Sequence, residues 1–280
     1  MTKVDPARYS RHQALPQVGE SGQRRLEQAS VLVVGLGGLG SVASLYLANA
    51  GVGHLVINDF DRVDATNLPR QILFRDSDVG EYKTHATAEQ LRAANPAPHV
   101  SVLNRRLDAD ELRDAASACS LVLDCTDNFP TRLLLNAACV ATRKPLVTGA
   151  AIRFEGQVAV FLNNDSTSPC YRCLYADEDE NFANCAGQGI LAPVAGTIGA
   201  LLATETLKLL LGLDSGLRNR LWIYDALTGA TRLVAIRKAP GCPACGRRAL
   251  ALARKSGWQS SRTSSAGPAA QPRTASSTTL

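Results

Sequence analysis

The run VLVVGLGGLG, Val31 to Gly40, is an apolar stretch that breaks into glycines spaced G-x-G-x-x-G at Gly35, Gly37 and Gly40, with Gly38 between them. A buried parallel strand turning tightly into a helix N-terminus presents backbone N–H groups and the helix dipole to an anion, so the pattern suits a pyrophosphate. It leaves NAD, FAD and ATP open. Asp59 and Asp61 follow 19 and 21 residues beyond Gly40, at the end of a second predicted strand, where a carboxylate accepts hydrogen bonds from ribose hydroxyls. Turn or cap chemistry is the plainer use of such aspartates. The next loop, DRVDATNLPRQILF, carries Asn67, Arg70 and Gln71, and Lys83 comes soon after. Two cations near a phosphate site supply more positive charge than a dinucleotide needs and suit a triphosphate. Taken singly, each also reads as a solvated surface charge.

The chain has eight cysteines, four of them in two C-x-x-C pairs: Cys170 with Cys173 in CYRC, and Cys242 with Cys245 in CPAC. Each x-x turn lets two sulfurs face one tetrahedral ion, and two such pairs predict a four-thiolate site. A closed set of four thiolates leaves no open coordination position, so the expected zinc is structural. Cys119, Cys125 and Cys139 stand in apolar contexts and read as small core residues. His12, His54, His85 and His99 show no metal or triad spacing and are assigned no chemistry.

These residues need a frame to hold them. In 280 residues, 45% hydrophobic and 20% charged, the composition is that of a globular protein able to bury a core. The polar opening MTKVDPARYSRH has no secretory pattern, and with free thiols it points to a reducing, cytoplasmic setting. Ile190 to Leu213 is the most apolar segment, but Pro193, Glu205 and Lys208 interrupt it, so it reads as a core helix and no membrane partner is expected. The net charge of +5 lies in the last residues: 246–280 hold six basic and no acidic side chains, leaving 24 basic against 25 acidic residues in 1–245. No nucleic-acid partner is therefore expected. The Ser-, Ala- and Thr-rich tail 251–280 reads as disordered, and 1–250 as one integrated domain.

Along that domain strands alternate with helices. GSVASLYLANAG predicts a helix ended by Gly51, HLVIND a strand, GEYKTHATAEQLRAANP a helix stopped before Pro96, HVSVLN and SLVLDCTDN strands, and PTRLLLNAACVATR a helix with Pro130 at its start. Such alternation predicts an α/β fold with a doubly wound, Rossmann-like, mainly parallel sheet and ligands at its C-terminal strand ends. GQVAVFL, RLWIYDA and ATRLVAIRK predict an appended antiparallel region, with the long helix between its parts.

RYSRHQ, GLGGLG, NDFDRVDATNLPRQ, VGEYK, LDCTDNFPTR, GAAIRFEGQV, CYRCLY, CAGQGILAPVAGTIGALLATETLK and PGCPACG occur in this order over residues 8–246. In them the chain resembles the HesA/MoeB/ThiF family of adenylyltransferases, relatives of ubiquitin-activating enzymes. The resemblance implies ATP in place of NAD. It further implies adenylylation of the C-terminal Gly-Gly carboxylate of a small ubiquitin-like sulfur carrier protein, with release of pyrophosphate. An NAD(P)- or FAD-dependent oxidoreductase is the alternative that the glycine pattern alone allows. By the resemblance, Gly38 lets the backbone approach the phosphates, Asp59 takes the ribose, Asn67 and Arg70 reach the phosphates, Lys83 neutralises them, Asp127 holds Mg²⁺ and Asn128 touches the nucleotide. No sulfurtransferase domain follows residue 250, so a separate sulfur donor protein is expected.

Two further residues enter only through the resemblance. An arginine at the Arg11 position reaches the ATP phosphates of the other subunit, which implies a homodimer with sites completed in trans. Cys185, in ENFANCAGQGILAP, aligns with a cysteine implicated in sulfur transfer by ThiF-like members. Gly187 and Gly189 around it read as a mobile crossover loop, whereas the nearby acidic run ADEDEN disfavours a thiolate.

Overall fold

The computed structural model describes residues 6–164, 167–175 and 189–246. Cys185 and the tail from 251 onward lie outside the described residues. Short α1 (Ser10–Gln13) and α2 (Gly19–Gln28) precede β1 (Ser30–Val34), α3 (Gly38–Asn49), β2 (His54–Asn58), α4 (Lys83–Ala94) and β3 (His99–Leu103). Next come α5 (Ala109–Ala118), β4 (Leu121–Asp124), α6 (Phe129–Thr142), β5 (Leu146–Ile152) and β6 (Glu155–Phe161). The short α7 (Tyr171–Leu174), the long α8 (Ala192–Leu210), β7 (Arg220–Asp225) and β8 (Ala230–Ala235) complete the described elements.

One eight-stranded sheet runs β3-β2-β1-β4-β5-β6-β7-β8. The pairs from β3 to β5 are parallel, and those from β5 to β8 are antiparallel. The predicted antiparallel part is thus continuous with the parallel sheet. What joins the two is β5, whose sequence LVTGAAI has too many small residues to announce a strand; it pairs with β4 on one side and β6 on the other. Chain order reverses between β1 and β4, and a crevice forms at such a point because the following connections leave toward opposite faces.

Helices cover both faces. On one, Val31, Val33, Leu47, Leu55, Ile57, Ile198 and Leu202 form a buried cluster; on the other, Leu32, Val122, Leu135, Leu146 and Phe161 do. The segment expected to be a core helix is α8, and it buries Val194, Ile198, Leu202 and Ala203. No helix among the described residues is long and apolar enough to cross a membrane. Cys119, Cys125 and Cys139 are buried, as expected of core thiols, and burial pushes all three thiols up.

One expectation needs correction. The helix sought from Gly80 begins at Lys83: Gly80 has φ +93°, Tyr82 is extended, and Tyr82 bridges to Arg62. His54 and His99, assigned no chemistry, stand side by side. Parallel β2 and β3 place them in register with rings 4.9 Å apart, and the Ser101 hydroxyl lies 2.9 Å from His54 Nε2 and 3.1 Å from His99 Nε2.

Helices α3 and α8 approach closely because Gly199 has no side chain. A Cβ there would stand 2.7 Å from the Leu39 carbonyl oxygen and 2.9 Å from Val42 Cβ. We expect Gly199→Ala to lower stability by about 1–3 kcal/mol, the usual cost of overpacking, measured by thermal melting; an unchanged melting temperature would contradict this packing.

Candidate active site

At the strand-order reversal a cleft of about 880 Å³ opens over the C-terminal ends of β1 and β4. The turn after β1 forms its floor. Gly35 has φ +88°, and a Cβ on it would lie 2.7 Å from the Cys125 carbonyl oxygen. A side chain at Gly40 would meet the Gly35 carbonyl. Gly35, Gly37 and Gly38 line the cleft, while Gly40 lies beneath the turn and supports it.

Asp59, directly after β2, holds that turn in place. Its Oδ2 accepts the Leu36 N–H at 2.7 Å and its Oδ1 accepts the Asp61 N–H at 2.9 Å. Each oxygen keeps a lone pair for a further donor. Burial raises the Asp59 carboxyl above the usual range, against the lowering effect of Lys83 and the two N–H donors. A carboxyl whose pKa is raised by folding stabilises the fold while protonated and loses that contribution as pH rises through its folded value. Ionised Asp59 is therefore a cost to the fold that the site carries.

Lys83, the first residue of α4, is buried and places Nζ 2.9 Å from Asp61 Oδ2. Asn67 belongs to a single turn of 3-10 helix (Ala65–Asn67) capped by Asp64, whose carboxylate accepts the Thr66 N–H. Arg70 donates to the Thr66 carbonyl at 2.9 Å. Gln71 is buried, and its Oε1 has no hydrogen-bond partner among the described residues. After β4, Asp127 is exposed and Asn128 caps α6, its Oδ1 accepting the Thr131 N–H at 3.0 Å. Asp59, Asp61, Asn67, Arg70, Gln71, Lys83, Asp127 and Asn128 all line the same cleft. Arg11 sits exposed on α1 and does not line the cleft of its own chain.

The sequence reading missed Arg106, which lines the cleft with its guanidinium 4.5 Å over the Phe60 ring, and Arg62, stacked 3.8 Å over Tyr82. Arg106 lies just past the C-terminal end of β3, the sheet edge where ligands bind. That position was the available signal.

The cysteine pairs converge away from the cleft. The sulfurs of Cys170, Cys173, Cys242 and Cys245 all lie within 4.8 Å of one another, with Cys170 to Cys242 at 3.7 Å and Cys173 to Cys245 at 3.4 Å. Zinc–sulfur bonds of about 2.3 Å in a tetrahedron set sulfurs about 3.8 Å apart. The donor set and its spacing therefore fit a four-thiolate zinc site.

The ThiF family model matches residues 9–244. This chain belongs to the ThiF family. It is 43% identical over 246 residues to the sulfur carrier protein ThiS adenylyltransferase of Escherichia coli K12, covering 88% of this chain and 97% of that protein. It is 44% identical over 240 residues to the molybdopterin-synthase adenylyltransferase of Salmonella typhimurium, covering 86% of this chain and 96% of that one. Among solved structures, Escherichia coli MccB with ATP matches at a TM-score of 0.75 and 25% identity, over 88% of this chain and 75% of that one.

Purified protein should carry close to one zinc per chain by elemental analysis, and Cys242→Ser should lower both metal content and melting temperature. Full metal retention in that variant would contradict a four-cysteine site.

Proposed function

We propose that this chain is an ATP-dependent adenylyltransferase that activates the C-terminal Gly-Gly carboxylate of a small ubiquitin-like sulfur carrier protein for thiocarboxylate formation. The observation that carries the proposal is one cleft that combines a glycine turn, a carboxylate beside it, the cations Arg70 and Lys83, and the Asp127 strand end. Adenylyltransferase names among relatives at 43–44% identity favour it over a dinucleotide oxidoreductase.

In this proposal the phosphates lie on the turn at Gly35, Gly37 and Gly38, with Gly40 letting the turn close. Asp59 and Asp61 flank the ribose, and Asn67, Arg70, Gln71 and Lys83 approach the phosphates. The carrier carboxylate is already ionised at neutral pH, so it attacks the α-phosphorus without a general base; the acyl-adenylate forms and pyrophosphate leaves. Nucleophile and phosphates are both anions, which makes charge neutralisation and positioning the main catalytic problem. Asp127, an exposed hard-oxygen donor at the cleft mouth, would hold a magnesium ion, which would supply Lewis-acid charge neutralisation, and Asn128 beside it would touch the nucleotide.

Three parts of the proposal reach past the single chain. The active form is a homodimer in which Arg11 of the partner subunit reaches the phosphates, in keeping with the position of Arg11 outside its own cleft. Sulfur comes from a separate donor protein. Any covalent role of Cys185 follows adenylation, because the first step needs no thiol.

Labelled pyrophosphate should exchange into ATP only when a Gly-Gly-ending carrier is added; absence of exchange with every such carrier would sink the proposal. Lys83→Ala should reduce exchange by roughly 100- to 1000-fold, the scale of losing one charge-stabilising donor. Arg11→Ala should be similarly impaired, and mixing it with Lys83→Ala should restore part of the activity. No recovery in any mixture would exclude action across subunits. Cys185→Ala should keep pyrophosphate exchange, and loss of exchange in a variant that still binds ATP would overturn the separation of the two steps.

A further inference from the structure

Among the described residues no side chain bonds Asp127, so its position depends on what fixes the backbone around it. Residue 126 provides the anchor. Thr126 donates its N–H (3.0 Å) and hydroxyl (2.7 Å) to Asp124 Oδ1, and Thr148 on β5 donates to the other Asp124 oxygen at 2.7 Å. The Thr126 carbonyl accepts from Arg132 Nη2 on α6, and the same nitrogen donates to the Gly149 carbonyl on β5 at 3.0 Å. Asp124 is fully buried and Arg132 is 6% exposed at the cleft wall, so protein partners answer most of both charges. Both bonds leave Nη2, whose two N–H groups are fixed in the plane of the guanidinium fork, whereas an ammonium's donors turn freely on a flexible stem.

Something must also fix Arg132 from its far side. It faces the hydroxyl of Tyr171, which is 4% exposed and stands between Cys170 and Cys173 as the first residue of α7. The Tyr171 N–H donates to Asn136 Oδ1 on α6 at 2.9 Å. Its ring packs 6.1 Å from Phe129, the first residue of α6, and 4.9 Å from Tyr175. The phenol of Tyr175 accepts from Gln157 on β6 at 2.9 Å. The thiolate turn thus reaches the N-terminal end of α6, one residue beyond Asn128.

We propose that Arg132 is the positioning residue for the Asp127 loop, and that the four-cysteine cluster holds Arg132 in place through Tyr171. The cluster thereby acts on the nucleotide site as well as on stability. The significance for catalysis rests on the function proposed above, but the coupling itself is a property of the fold. Tyr171→Phe removes one hydroxyl and keeps the ring; Arg132→Lys keeps the charge and removes the fork.

The test is hydrogen exchange of backbone amides, with zinc content by elemental analysis and the dissociation constant for ATP with magnesium by calorimetry. In both variants the amides of residues 125–131 should exchange at least about fivefold faster, with those of β1, β2 and α3 unchanged. Zinc content should be retained, and affinity for ATP with magnesium should fall by a similar factor. Combining Cys242→Ser with Tyr171→Phe should loosen the loop no more than either change alone, because both act along one path. Additive loosening in that double variant would overturn the link through Tyr171. Unchanged loop exchange in Arg132→Lys, or a uniform rise across the whole sheet in both single variants, would overturn the positioning role. A wild-type protein that binds no ATP would refute the proposed function while leaving the exchange result readable.

Discussion

Everything at the cleft depends on how closely two loops approach each other at the centre of the sheet. Parallel pairing sets Val34 beside Asp124, and from there the turn after β1 and the loop after β4 run side by side with Gly35 against the Cys125 carbonyl. Only a residue without Cβ and with free access to positive φ fits between them. The crevice at a strand-order reversal supplies room for a ligand, and this close contact sets the glycine turn beside the loop that carries Asp127.

Charge is distributed around that contact in two layers. Facing the cleft are groups in partial contact with solvent: Asp61 paired with Lys83, Arg70 turned to a backbone carbonyl, and Arg106 lying over Phe60. More deeply buried are Asp59 and Arg132, which line the cleft wall, and Asp124, each bonded to backbone or hydroxyl partners. Buried charges are costly unless fully hydrogen-bonded. Here the partners are loop backbone atoms, so satisfying the charge also fixes the loop.

The cysteine cluster ties segments far apart in the chain. Cys170 and Cys242 are 72 positions apart, and Lys238 reaches back to the Ser168 carbonyl at 2.8 Å. Segments on either side of β7 and β8 are thereby drawn to the back of α6, and α7, only four residues long, could not persist in water as an isolated helix. Its geometry comes from the thiolate turn and from the aromatic contacts of Tyr171 with Phe129 and Phe161.

The sequence by itself determined those features that depend on residues near one another in the chain. The glycine turn, the alternation of strands and helices, the cationic loop and the two cysteine pairs were legible because backbone freedom, hydrophobic period and ligand spacing are local properties. Small residues hid β5, whose strand character comes from its neighbours on both sides. The tertiary structure alone decided that the antiparallel strands extend the parallel sheet, that Arg106 joins the cleft, and that His54 meets His99 across β2 and β3. It also decided that Arg132 reaches the Thr126 carbonyl beside Asp127. Each of these joins residues through strand register or helix packing, and no local pattern records such a contact because it exists only once the chain has closed on itself.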